Sequence, residues 1–146
     1  MGITWRGGRN TRNMQSDLRE RRATMRQRGL QALQMSIEEG EAYTRDNLED
    51  AHTRTGLRRA ETGGLPGRHE TGNMVDSVAS EVREPSANPV WGVFGWWGAN
   101  YERYFREQDL GEGNIPAARA LPAAFLRAQE NFRARLADIT RGKDPR

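Results

Sequence analysis

Cysteine is absent from this chain of 146 residues, which excludes disulfides, thiolate metal sites and cysteine nucleophiles. Long apolar runs are absent as well, since the longest is only a few residues and a membrane-spanning helix needs many more. The start of the chain, MGITWRGGRNTRNMQ, lacks the apolar core of a signal peptide. We therefore expect a protein that is made and used without export and that contacts no membrane.

Apolar residues are scarce, at 35% of the chain, whereas charged residues make up 29%. A chain of this length forms one domain, and so small an apolar fraction predicts a thin core. Much of the surface is therefore expected to be either solvated or covered by partner molecules.

Residues that carry chemistry are equally sparse. The two histidines, His52 and His69, are isolated in the sequence, and HETG at 69–72 lacks the second histidine of a zinc-binding HExxH helix. Six acidic residues between positions 38 and 50 spread around a predicted helix, which is typical of a solvated face rather than of a cation site. The sequence predicts no enzyme: no catalytic residue, no cofactor and no metal.

Lysine is nearly absent, because the 23 basic residues are arginine with one exception. Residues 1–34 carry eight arginines against Asp17 and Glu20, a net charge of +6. Residues 35–53 carry six acids against Arg45, a net charge of −5. The basic stretch favours nucleic-acid binding, whereas the change of sign along one element equally favours ordered stacking against neighbouring molecules.

The chain is expected to begin with a flexible basic arm, residues 1–15, which is rich in glycine, arginine and asparagine. Residues 16–17, serine and aspartate, are suitable N-caps for a long helix, because their side-chain oxygens accept hydrogen bonds from the free amides of the first turn. The helix is expected to reach about Thr53, with Gly29 and Gly40 as places where it bends or breaks.

The residues after this helix predict a hairpin and two further helices. Val78 and Val82 lead into the turn REPSANP, and the strand-forming residues VWGVFGWW follow it. YERYFREQ is typical of a short helix, and Pro122 fits the first turn of a longer final one. The apolar face of the final helix comprises Leu121, Phe125, Ala128, Phe132, Leu136 and Ile139.

The predicted order of elements is therefore α, β, β, α, α. We expect an α+β fold in which a long N-terminal helix and a C-terminal helix pack on a small antiparallel β-sheet. A single domain is predicted for residues 16–141, with residues 142–146 as a tail outside it.

The stretch WGVFGWWGANYERYFREQDLGEG, residues 91–113, concentrates aromatic residues. Three interpretations stay open: the centre of the core, a stacking platform for nucleic acid, and a protein–protein interface. Stacking platforms interleave aromatic with basic residues, whereas residues 91–100 contain no basic residue. The candidate interface residues are Trp5, Trp91, Trp96, Trp97, Tyr101, Tyr104, Phe105 and Leu110.

Three segments occur in an order typical of one family: TGNMVDSV at 71–78, YERYFREQDLGEG at 101–113 and ALPAAFLRAQENF at 120–132. In these segments the chain resembles the tail-completion, or head–tail joining, proteins of long-tailed bacteriophages, which are also filed as neck or minor tail proteins. The spacing in REQDLG is longer than the family's Glu-x-Gly, and Ala128 stands where a second proline is common. The matching positions are Thr71, Gly72, Asn73, Met74, Tyr101, Tyr104, Gly111, Pro122, Phe125, Leu126 and Arg127.

The resemblance implies a virion protein that forms a ring at the phage neck, completes the tail and joins it to the DNA-filled head. The implied partners are further copies of the chain, in rings of about six or twelve, portal or adaptor proteins, and tail-tube or tail-terminator proteins. Nonspecific contact with packaged DNA and assembly in the cytoplasm of the host bacterium are also implied. The alternative function is a nucleic-acid-binding module that uses the arginine-rich N-terminal arm.

Overall fold

The computed structural model describes residues 8–50, 73–84, 89–98, 102–111 and 117–146. Within these ranges the elements are α1 (Gly8–Asp50), α2 (Asn73–Asp76), β1 (Ala79–Arg83), β2 (Trp91–Gly95), α3 (Arg103–Leu110) and α4 (Ala120–Thr140). The two strands pair antiparallel. The predicted α+β fold, with two long helices and a small antiparallel sheet, is therefore confirmed.

Helix α1 is longer than the sequence predicts. It begins at Gly8, ahead of the N-caps expected at residues 16–17, so residues 8–15 belong to the helix. It also runs through Gly29 and Gly40 as one element, without the expected break. The prediction gave most weight to the glycine and asparagine residues near the start, which are poor helix formers. The arginine, methionine and glutamine residues among them are good helix formers. The rest of the predicted arm lies outside the described residues.

The hairpin lies where the sequence predicts it. Its register runs from Ala79 opposite Gly95 to Arg83 opposite Trp91. A β-carbon added at Gly92 would come within 2.6 Å of an α1 side chain. Glycine therefore lets the backbone of β2 lie directly against the helix.

Gly40 allows the sheet to pack closely on α1. A β-carbon at Gly40 would lie 2.7 Å from the ring of Phe94, closer than carbon atoms approach one another in folded proteins. Thr44, one turn further on, is fully buried, and its hydroxyl donates to the Gly40 carbonyl at 2.7 Å. The space that glycine leaves is filled by an aromatic ring, so the packing offsets the low helix propensity of glycine.

Helices α1 and α4 pack through small residues. Ala32 and Ser36 on α1 are buried, and Ala120, Ala124 and Ala128 on α4 are buried with them. Small side chains allow the two helix backbones to approach closely. The Ser36 hydroxyl donates to the Ala32 carbonyl at 2.8 Å, so its burial leaves the hydroxyl hydrogen-bonded.

The buried face of α4 differs from the predicted one. Ala128 and Ile139 are buried as expected, but Phe125 and Leu136 are 57% and 38% exposed. The buried face is the alanine-rich one and includes Arg135. The prediction selected the largest apolar residues, whereas close packing against α1 requires the smallest.

Arg135 ties α4 to α1. Its side chain is 8% exposed, and its guanidinium donates to both carboxylate oxygens of Glu39. It also donates to the Ser36 hydroxyl at 2.9 Å and to the Arg146 carbonyl at 2.8 Å. The hydrogen bonds from Arg135 lower the pKa of Glu39, and partial burial of the carboxylate opposes this effect without cancelling it.

Residues 142–146, predicted as a tail outside the domain, pack against it. Pro145 is buried. The carboxylate of Asp144 forms an ion pair with Arg28 of α1 at 2.9 Å. The end of the described chain therefore covers the end of the α1–α4 pair.

A second group of buried side chains lies where α2, α3 and the start of α4 meet the C-terminal half of α1. Helix α2 was not predicted, because four residues are too few to show helical periodicity. It buries Met74 and Val75. The members of this group are Leu48, Met74, Val75, Val78, Phe105 and Ala120.

Gly40→Ala is expected to destabilise the fold, because the added methyl group collides with the Phe94 ring and overpacking of this kind costs about 1–3 kcal/mol. Gly29→Ala is the matched control, since nothing lies within 4 Å of the added group and alanine stabilises a helix by about 0.8–1 kcal/mol relative to glycine. Urea unfolding of both variants measures the difference. Equal effects would contradict the close approach of Phe94.

The contact between Glu39 and Arg135 is expected to make stability depend on pH. Because the folded-state pKa of Glu39 lies below its ordinary value of 4.5, the contribution is present above that pH and is lost as the pH falls through the lowered value. Glu39→Gln should therefore lower the thermal midpoint at neutral pH, and the difference from the natural chain should shrink in acid. Glu38→Gln, which removes an exposed carboxylate, serves as the control. A pH-independent effect of Glu39→Gln would overturn this account.

Candidate interaction surface

Asp109 joins α3 to the start of α4. Its carboxylate is buried and accepts hydrogen bonds from the Ala120 amide at 2.6 Å and from the Leu121 amide at 3.3 Å. These amides belong to the first turn of α4, where free N–H groups and the positive end of the helix dipole favour a carboxylate. Asp109 therefore caps α4 from a different helix and fixes the two elements side by side.

Trp96, just after β2, is held in place from two sides. Its Nε1 donates to the Met74 carbonyl at 2.7 Å. Its ring lies 5.7 Å, centroid to centroid, from the ring of Phe105, which is fully buried. The end of the sheet is thereby fixed to α2 and α3.

These contacts create an apolar groove of about 450 Å³ between the end of β2, α3 and the first turns of α4. Leu110 and Phe125 at its edges are 49% and 57% exposed. A chain with few apolar residues places several of its largest at this surface, which is typical of a binding surface. The residues that line the groove are Phe94, Trp96, Arg106, Asp109, Leu110, Leu121, Pro122 and Phe125.

The apolar surface continues along α4. Phe125, Phe132 and Leu136 follow Leu121 at helical spacing, on a side of the helix that differs from its alanine-rich side. Phe132 is half-buried and Leu136 is partly exposed. We call these four residues the outer row of α4. The sequence identifies them correctly as one apolar face, but this face lies largely outside the core.

The structure brings two of the predicted interface residues together and separates others. Trp96 and Leu110 line the groove. Phe105 is fully buried beneath it and presents no surface to a neighbour, so it is a core residue instead. Trp91 is 56% exposed at the start of β2, and the ring centroid of Trp97 lies 5.5 Å from an arginine guanidinium.

The remaining candidates lie outside the part of the chain that the structure describes. This holds for Trp5 and Tyr101, and for the side chain of Tyr104 on α3. The sequence prediction missed Phe94 and Phe125 as surface residues, because it placed the first among the strand residues and the second in the core. The sequence shows that Phe94 and Phe125 are large, apolar and regularly spaced, but neither size nor spacing tells an inner face from an outer one.

A second exposed surface lies on the N-terminal half of α1. Every residue from 12 to 27 is exposed, and at 1.5 Å per residue this stretch is about 24 Å long. We call residues 12–27 the basic segment. Met14, Leu18 and Met25 are 60%, 50% and 44% exposed. They lie within about 40° of one another around the helix axis, at 100° per residue, and form an apolar row.

The charges of α1 oppose its helix dipole. Residues 8–28 carry seven arginines against Asp17 and Glu20, a net charge of +5. Residues 29–50 carry six acids against Arg45, a net charge of −5. Acids near the N-terminus and bases near the C-terminus stabilise a helix, but α1 has no acid in its first turn and no base in its last. This order of charges lacks the stabilisation that the opposite order would give at the two ends of the helix.

Among the described residues, no group of three or more histidine, cysteine, aspartate or glutamate side chains is placed to hold a metal ion. None of the described helices combines the length and the apolar character that crossing a membrane requires. No protein-family model, curated protein or solved structure matches the chain. A functional proposal therefore rests on the two exposed surfaces.

Phe105→Ala is expected to destabilise the subunit by about 3–5 kcal/mol, because it empties a fully buried site. Phe125→Ala should cost only about 0.5 kcal/mol, because the side chain is mostly exposed. Urea unfolding at a concentration where the chain is monomeric measures both changes. A loss at Phe125 as large as that at Phe105 would assign the groove to the core and remove it as an interaction surface.

Proposed function

We propose that this protein is a structural virion protein of a long-tailed bacteriophage, which forms a ring at the neck, completes the tail and joins it to the DNA-filled head. The observation that carries the proposal is the presence of two unlike surfaces on one subunit: the apolar groove with the outer row of α4, and the projecting basic segment. Unlike surfaces assemble head to tail, and such contacts either close into rings or continue as filaments.

The groove has the composition and the rigidity of a contact surface. Aromatic residues are favoured at the centres of protein interfaces, and Phe94, Trp96 and Phe125 meet here. Asp109 and the Trp96 indole fix the surrounding elements through hydrogen bonds. A preformed surface loses little conformational entropy when a partner covers it.

The segments that resemble head–tail joining proteins contribute to the same region. Pro122 and Phe125, from ALPAAFLRAQENF, line the groove. Gly111, from YERYFREQDLGEG, ends α3 in the left-handed conformation at φ 76°, and its amide donates to the Glu107 carbonyl at 3.0 Å. The position of Pro122 and Phe125 at the exposed surface supports the proposal.

The proposed partners are neighbouring copies in a ring of about six or twelve, portal or adaptor proteins toward the head, and tail-tube or tail-terminator proteins toward the tail. The protein acts in the virion after assembly in the bacterial cytoplasm. It contributes complementary surfaces and catalyses no reaction, with no cofactor and no metal.

Phe125→Asp is expected to leave a folded subunit that no longer assembles, so that infected cells yield filled heads and separate tails. A carboxylate at this exposed position is tolerated in the lone subunit, but its desolvation in an apolar contact costs about 2–4 kcal/mol at each interface. Electron microscopy of lysates and native mass spectrometry of the purified chain provide the measurement.

The control for this experiment is Ala134→Asp, an exposed position on the far side of α4 from Phe125. It should leave assembly unchanged. Intact, infectious tailed particles in lysates that lack the protein altogether would refute the head–tail joining function.

The exposed arginines of the basic segment favour a second candidate function, a nucleic-acid-binding module. Phosphate contacts of this kind release counterions, so affinity should fall by about 500-fold between 50 and 200 mM salt if all five arginines of the segment take part. Fluorescence titration of duplex DNA across this range measures the slope. Strong binding that persists at physiological salt would place this function ahead of ring assembly.

A further inference from the structure

We infer that the basic segment of one copy packs on the acidic outer side of α1 in the next copy, an inference that rests on the proposed ring and specifies one contact between its subunits. On that outer side Met35 is half-buried and Ala42 is exposed. We call residues 35–49 the acidic face. Its exposed acids are Glu38, Glu39, Asp46 and Glu49.

The two surfaces match in their apolar residues. Leu18 and Met25 on the basic segment are seven residues apart, and so are Met35 and Ala42 on the acidic face. Seven residues make about two helical turns, so each pair forms a short row along its helix, as in the seam between two paired helices. The small Ala42 leaves room for a long side chain from the opposite row.

The basic segment and the acidic face also match in charge. Arginines flank the row on the basic segment, with Arg21 and Arg22 between Leu18 and Met25 in the chain. Acids flank the row on the acidic face. Pairing the two rows therefore places opposite charges along both edges of an apolar seam, an arrangement that selects the partner and its orientation.

The contact cannot form within one copy. Both surfaces belong to the single helix α1. From Leu18 to Ala42 a continuous helix rises by about 36 Å, so neither surface can reach the other. The partner must be another molecule, and a second copy of this chain carries the complementary surface.

Two α1 helices that pair symmetrically cannot bury both apolar rows in one contact. At 100° per residue, the Leu18–Met25 row and the Met35–Ala42 row point about a quarter of a turn apart around the helix axis. A helix presents one side to a given neighbour, so the two rows contact two different copies. Each contact therefore joins unlike surfaces and repeats from copy to copy, as a ring requires.

Charge reversal tests the inference in the full-length chain. One variant carries Arg21→Glu with Arg22→Glu and has two acidic surfaces. The other carries Glu38→Arg, Asp46→Arg and Glu49→Arg and has two basic surfaces. Each alone is expected to associate roughly tenfold or more weakly than the natural chain, by sedimentation velocity. Mixed in equal amounts, the two should associate again, because each copy then meets an opposite charge on the other.

Control variants separate this contact from general effects of charge and folding. Glu130→Arg with Arg133→Glu reverses two exposed charges on α4 and should leave association unchanged. Leu18→Asp should weaken association, whereas Ala23→Asp, on the opposite side of the basic segment, should not. Circular dichroism confirms that each variant keeps its helix content.

Recovery of association in the mixture supports the contact. Association that persists in both charge-reversed variants overturns the inference and leaves the proposed ring standing, because the copies then meet through other surfaces. A natural chain that stays monomeric, even with portal and tail proteins, overturns both. If the variant with Arg21→Glu and Arg22→Glu loses affinity for DNA but still self-associates, the basic segment binds nucleic acid. This result also overturns the inference.

Discussion

The close contact between α1 and α4 determines most of what this chain presents to its surroundings. Small residues such as Ala32 and Ala124 bring the two helices together, and Arg135 fixes the contact through Glu39. Because α4 turns its small residues inward, its large apolar residues, Phe125 and Leu136 among them, remain on the outside. A thin core and an apolar exterior are thus two consequences of one packing arrangement.

The groove depends on the contact between α1 and α4 and on two polar groups. Asp109 caps the first turn of α4 from α3, and the Trp96 indole donates to the Met74 carbonyl. Each fixes one wall of the groove by a hydrogen bond that is at least partly shielded from water. The apolar surface is therefore preformed, and Asp109 and Trp96 both shape the groove and line it.

Local patterns in the sequence predicted the elements well and their outward faces poorly. The hairpin and the short helix ended by Gly111 follow from turn residues and strand-forming residues, which act over a few positions. The periodicity of α4 showed that Leu121, Phe125 and Leu136 share a side, but which side another helix covers is a property of the tertiary contact. The early start of α1 and the four-residue α2 were missed because neither leaves a strong periodic signal. Two of the eight residues that line the groove, Trp96 and Leu110, were among the interface candidates taken from the aromatic-rich stretch at 91–113.

The charges of α1 bear on its stability as a helix and on the assembly that we propose. A helix with bases at its start and acids at its end bears a cost from its own dipole, and its continuity from Gly8 to Asp50 keeps the two charged halves apart. The same charges prevent two basic segments from pairing with each other, since like charges repel. In the ring that we propose, association is therefore directed toward unlike surfaces. Contact with a neighbour's opposite half offsets part of the electrostatic cost, and this favours an extended or closed assembly over the isolated chain.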